Sequence, residues 1–297
     1  MSENKLIQRL TENIKEAINE ELGIADEVTD AIHTVIDELK NDYSRSFSVS
    51  TSIRGITRRF GSFIANIFGE KLTVYWECFN YQNLELFKKH PITTTGHYIK
   101  KTNKQPQQAL IIKLLSLSGK VNYHSMRETI RHELHHFYED VKRGFKRLPK
   151  MDLYKYATHL MNTYQTYDIR HMVGEIIYMS FDFEQRAFYN GTYEFLKSNI
   201  DVAYNFNLKI QETPIFGHLL YLNICIEKLE SLGKENWVKD GLTKDIADVL
   251  KCDYKITYDK LLKMARKAVK DLSLKIGKAI IKAKEDYNGE YYITFSR

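Results

Sequence analysis

The sequence predicts an α+β protein. The expected core is a small, mainly antiparallel twisted sheet packed on two helices, one carrying a His-Glu-x-x-His pattern and the other an inward-facing Glu. Three observations point there. Residues 46–118 are rich in β-branched and aromatic side chains broken by turn residues, a strand signature. Residues 125–141 and 183–198 place apolar side chains at helical spacing. Both ends of the chain show the same helical period. Composition therefore sets the boundaries at a helical hairpin over 1–45, a central α+β domain over 46–200 and a helical subdomain over 201–297.

Taken in order, Leu6, Leu10, Ile14, Ala17, Ile18 and Leu22 form one apolar stripe, and Gly23 suits the helix end. Val28, Ile32, Val35, Ile36 and Leu39 form a second stripe, which completes the hairpin. Strands are expected over Ser48–Ser52, Phe60–Phe68, Leu72–Tyr81 and Ala109–Ser118, with Gly69 in a turn and Lys101–Gln108 as a polar loop. Ser125 with Glu128 reads as a capping box that opens the next helix. Asp182 with Gln185 reads the same way before the helix over 183–198. Pro214 opens another helix and Gly233 closes it. Thr257–Ile281 is a further helical stretch with an expected break near Leu272–Gly277, and Tyr291–Phe295 could add a strand.

The chemistry sits in His132-Glu133-Leu134-His135-His136. Positions i and i+4 of a helix lie on one face, so His132 and His136 can reach one metal ion, with Glu133 beside its open position. At about 100° per residue the helix divides into three sectors. Met126, Ile130, Leu134, Phe137 and Val141 face a core. Arg127, Glu128, Arg131, His135, Tyr138, Glu139 and Lys142 are expected to face solvent, which makes His135 a bystander. Ser125, Thr129, His132, Glu133, His136 and Asp140 lie between. Asp140 is either a partner that orients a ligand His or a surface carboxylate.

A catalytic zinc site takes three protein ligands and leaves a fourth position for water. The metzincin spacing would put the third ligand at Lys142 and a Gly at Glu139, so that pattern is excluded. Glu175, Asp182, Glu184, Glu194 and His171 are the candidates. Glu184 falls in the apolar sector of its helix with Ala187, Phe188, Gly191 and Phe195, whereas Glu175 reads as surface. A carboxylate on a buried face costs several kcal/mol unless it is paired or binds a metal. Glu184 is therefore the expected third ligand; a satisfied buried salt bridge is the bland alternative.

The global numbers set bounds. With 297 residues, 43% hydrophobic, the chain can bury a sizeable core. No apolar run approaches the roughly 18–20 residues of a membrane span. The start MSENKLIQRL lacks the apolar stretch of a secretory signal. Cys78, Cys225 and Cys252 lie far apart, which suits a reducing compartment and excludes a cysteine-based zinc site. A cytoplasmic location, or association with a virion, is expected. The net charge of +6 sits largely in Lys234–Lys284, interleaved with acids, and a solvated helical surface accounts for it better than a nucleic-acid groove.

H-E-L-H-H followed downstream by E-Q-R-A resembles the gluzincin branch of zinc metallopeptidases. It resembles in particular the small gluzincin-like proteins of bacteria and phages, and is similar to regulatory proteases of the ImmA/IrrE type. The match covers roughly residues 70–200. The resemblance implies a zincin-like fold, Zn²⁺ on His132, His136 and Glu184, and Glu133 as general base for hydrolysis of a peptide or protein substrate. In such enzymes an edge strand runs beside the metal and pairs with the substrate backbone. Leu110–Leu117 is the candidate edge, an interior strand being as compatible with its composition. A donor for the developing oxyanion is also expected, with Tyr178, Tyr189, His171 and Arg186 as candidates. Two other classes fit the sequence: a regulatory or virion-associated protein with a structural, non-turnover zinc, and a metal-free interaction module that binds a protein partner through its terminal helices.

Overall fold

The computed structural model describes residues 27–51, 55–82, 84–85, 94–101, 107–117, 120–121, 123–146, 150–198, 210–239, 242–253 and 256–287. The expected helix over 5–22 and the strand over 291–295 lie outside these residues. The fold is α+β. Two compact units share the chain: Met1–Lys146 with Tyr193–Ala203 and Ile280–Arg297, and Arg147–Thr192 with Tyr204–Ala279.

In the first unit, residues 27–45 form helix α1. Strands follow at Val49–Ser50 (β1), Ile56–Ile67 (β2), Glu70–Tyr81 (β3), Thr94–Ile99 (β4), Ala109–Leu117 (β5) and Lys120–Val121 (β6), then helix α2 at Tyr123–Lys142. The strand order is β1-β2-β3-β5-β4, with β6 paired to the end of β5. Only β3 and β5 run parallel, in the register Thr73↔Ala109; the other pairs are antiparallel. The β2–β3 hairpin turns on Phe68 and Gly69, both at positive φ (55° and 77°), as a two-residue turn matching the strand twist requires. Phe68 accepts that conformation with its ring packed against Phe137 and Tyr138 at 5.7 and 5.0 Å.

Alternation along β3 and β5 buries Leu72, Val74, Trp76 and Cys78 beside Leu110, Ile112 and Leu114. Onto that face pack Val28, Ile32, Val35 and Ile36 of α1 and Met126, Ile130, Leu134 and Phe137 of α2. The apolar stripe predicted for α2 is thus the core-facing one. Of the sector predicted to be solvated, Lys142 is exposed and Glu139 half-buried, but the rest is covered. Arg127, Glu128, Arg131, His135 and Tyr138 are all buried, Arg131 completely. The reason is charge pairing: Arg127 and Arg131 face the carboxylate of Glu194, and Arg131 also donates to Thr29 Oγ1 of α1 at 3.1 Å. The helix begins at Tyr123, so Ser125 lies inside its first turn and does not precede it.

The sheet corrects two further expectations. Strand β4 falls where the sequence reading placed none. It is the outer strand, and β5 lies between β3 and β4. Leu110–Leu117 is therefore interior, consistent with its near-continuous apolar character.

The second unit contains Met151–Thr163 (α3), Ile169–Tyr178 (α4), the first part of Asp182–Ser198 (α5), Pro214–Lys239 (α6), Leu242–Leu250 (α7) and most of Thr257–Tyr287 (α8). Helix α5 begins in this unit and ends in the first. Gly233, at φ 71°, breaks α6 as expected, and the chain resumes a helix beyond it. Helix α8 runs unbroken through Leu272–Gly277, where an interruption was expected. Asp182 sits in the first turn of α5, exposed, paired with Arg186 and Lys275. No helix among the described residues is long and apolar enough to cross a membrane.

Candidate metal centre

One turn of α2 separates His132 from His136, and their Nε2 atoms lie 3.2 Å apart with the rings nearly perpendicular (79°). Two nitrogens at about 2.0–2.1 Å from a tetrahedral zinc would lie roughly 3.3–3.4 Å apart. The pair is thus at coordination spacing. Glu184 completes a group whose ligand atoms all lie within 4.8 Å of one another. Both histidines are half-buried and Glu184 is buried. Two imidazoles and a carboxylate, with no thiolate, are a ligand set that takes divalent metals such as zinc or iron(II). The residues present could hold a metal ion.

Glu184 is held from both sides. Tyr154 of α3 donates to its Oε1 at 2.7 Å, and Tyr178 of α4 donates to its Oε2 at 2.6 Å. Their rings lie 5.6 Å apart, and Phe181 and Phe183 pack on Tyr154 at 5.5 and 5.3 Å. This aromatic wall shields the carboxylate and supplies outer hydrogen bonds of the kind that orient metal ligands.

Glu133 points at the outer strand. Its Oε2 accepts the backbone N–H of Tyr98 in β4 at 2.8 Å. Gly96 makes that approach possible. A Cβ there would stand 2.6 Å from Thr129 Cγ2 and 2.8 Å from Glu133 Cγ, contacts real side chains do not make.

The other candidates go elsewhere. Glu175, read as surface, is buried at 2% exposure, and His218 Nδ1 of α6 donates to its Oε1 at 2.5 Å. Its apolar neighbours Met172, Val173, Ile176 and Ile177 are buried as well, so the Met172–Ile177 stretch of α4 is covered on every side. His171 donates from Nδ1 to the Tyr164 carbonyl at 3.0 Å. Glu194 faces Arg127 and Arg131. Asp140 is neither a histidine orienter nor a surface group: it is buried and pairs with Lys100 at 2.6 Å. His135 is buried at 1% exposure and lies 3.7 Å from Glu139.

Among the oxyanion candidates, Tyr178 is engaged with Glu184, Arg186 pairs with Asp182 and Tyr189 is buried. Sequence reading missed Tyr154, Tyr98, Gly96 and His218. Residues 94–99, T-T-G-H-Y-I, do carry a β-branched and aromatic strand signal. Nothing local marks Tyr154 or His218, whose roles depend on contacts far along the chain.

Two buried carboxyls, Glu128 on α2 and Glu194 on α5, are shifted from the ordinary glutamate value in opposite directions. Burial alone pushes Glu128 up to about 8. Burial also acts to raise Glu194, but Arg131 and Arg127 outweigh it and hold that carboxyl below the ordinary glutamate value. Comparison of the chain with family models, with curated proteins and with solved structures gives no match.

Proposed function

We propose that this protein is a zinc-dependent hydrolase of peptide bonds, acting on a peptide or protein substrate. The observation that carries the reading is the His132–His136–Glu184 group with Glu133 on the same turn of α2. When bound, zinc supplies Lewis acidity toward the substrate carbonyl and acidifies water at its open position.

His132 and His136 present nitrogen lone pairs from one helix face, and Glu184 adds the compensating negative charge. Tyr154 and Tyr178 hold that carboxylate in place. Glu133 accepts the proton of the attacking water and returns it to the leaving amine. The Tyr98 N–H orients one oxygen of Glu133.

The test is metal content and activity measured together. Purified protein should carry about one zinc per chain, lost in His136→Ala and in Glu184→Ala. Glu133→Gln should keep its zinc and lose hydrolysis of an unfolded protein substrate, by on the order of 10²-fold or more. Zinc retained in Glu184→Ala would move the third ligand elsewhere. Equal hydrolysis by Glu133→Gln and wild type would end the general-base assignment. No zinc in the wild type, even after reconstitution, would leave only a metal-free reading.

A further inference from the structure

The Glu194 carboxylate is 1% exposed and sits between two guanidinium groups of α2. Arg127 Nε donates to its Oε1 at 2.6 Å, and Arg127 Nη2 contacts the same oxygen. Arg131 Nη1 donates to its Oε2 at 2.7 Å, and the Arg131 guanidinium lies 5.1 Å from the centre of the Tyr193 ring. Arg131 is fully buried and also donates to Thr29 of α1. A charge cluster this deeply buried is poor economy if its purpose is stability, because desolvation offsets most of the attraction. Its better attested use is to select one register between packed elements.

The register at stake is that of α5 on α2. Arg131 immediately precedes ligand His132, and Glu194 lies on the same helix as ligand Glu184. The two glutamates are about 15 Å apart along the axis at 1.5 Å per residue. A carboxylate gripped on both oxygens by two planar donors from one helix tolerates little displacement.

We propose that Glu194, clamped by Arg127 and Arg131, is a positioning residue for the metal centre: it sets the register of α5 on α2 so that Glu184 meets His132 and His136. This rests on the metal reading above and adds to it a part outside the ligand set.

The test uses the full-length protein loaded with zinc or cobalt. Glu194→Asp keeps both the charge and the ion pairs but shortens the reach by one methylene. Glu194→Gln keeps the length and removes the charge. Leu261→Ala, in the buried face of α8, serves as a control that destabilises without touching the clamp. Zinc affinity comes from competition with a chromophoric chelator, coordination from the visible spectrum of the cobalt protein, and stability from thermal melting.

Both Glu194 variants should bind zinc about tenfold or more weakly, within the range for groups that orient ligands, and should show a weakened or shifted cobalt spectrum. Leu261→Ala should melt earlier with affinity and spectrum unchanged. Wild-type affinity and spectrum in Glu194→Asp would overturn the clamp's role and leave the metal centre standing. A wild type that takes up neither metal would overturn the centre and the clamp together. Should Glu194→Gln fail to fold, Glu194→Asp carries the decision, since it leaves no buried guanidinium without a carboxylate.

Discussion

Glu128 shows how much a single side chain on α2 depends on what covers it. It lies one turn before His132, at 7% exposure, and burial raises its pKa to about 8. The carboxyl is therefore protonated in the folded protein up to that pH, whereas in the unfolded chain it ionises near the ordinary value of 4.5. Between those values the folded state binds one more proton than the unfolded state, so stability falls as pH rises. Below the unfolded pKa this group costs nothing; above the folded pKa its cost is complete. Glu128→Gln should remove that slope and make the variant more stable than wild type at pH 8. The gain should be a few kcal/mol, at roughly 1.4 kcal/mol per pK unit. Melting temperatures of both proteins from pH 5 to 9 would check this, and parallel curves would contradict it. The same residue marks a limit of sequence reading. A polar sector on a helical wheel says which side chains share a face, not whether a neighbour covers them. Arg127, Arg131 and His135 were assigned to solvent for that reason, and all are buried.

At the scale of elements, β4 fits closely against α2 in the first unit. Gly96 stands where a Cβ would collide with Thr129 and Glu133, and the next alternate residue, Tyr98, donates its N–H to Glu133. Gly96→Ala should push the strand from the helix, lower stability by about 1–3 kcal/mol as overpacking does, and lengthen the Tyr98–Glu133 hydrogen bond. Removing the Thr129 methyl as well, in Gly96→Ala with Thr129→Ser, should recover part of the loss. Denaturant melts of the four proteins form a double-mutant cycle; simple additivity would refute the close contact. This contact was invisible in sequence because β4 was not recognised there, which left β5 open as either edge or interior. The strands β2 and β3, by contrast, were legible, since their alternation and their turn at Gly69 are local. Gly233 was legible for the same reason. The uninterrupted course of α8 was not: its packing overrides the weak local signal at Leu272–Gly277.

At the scale of the molecule, a histidine pair on one helix turn and a Glu far along the chain form one group, and the energy that holds them is linked to whatever they bind. A ligand that binds only the folded state stabilises it by about 2.7 kcal/mol at a hundred times its Kd. A zinc-loaded sample should therefore melt several degrees higher than the same sample after chelation. His136→Ala should melt at one temperature under both conditions. A wild-type melting curve indifferent to chelator and to added zinc would count against the metal centre.

The sequence by itself determined the α+β class, the hairpin of β2 and β3, the core stripe of α2, the side-by-side histidines and the choice of Glu184 as an inward-facing carboxylate. Each of these follows from periodicities of two or 3.6 residues, which the chain carries locally. Only the tertiary structure decided that β4 is the outer strand, that Tyr154 and Tyr178 grip Glu184, that His218 meets Glu175, and that Glu194 lies between Arg127 and Arg131. Apart from Tyr178, which is 6 residues from Glu184, those side-chain pairings join residues 30 to 67 positions apart. A local pattern sets which face a residue occupies; the partner it meets there is set by the packing of the whole chain.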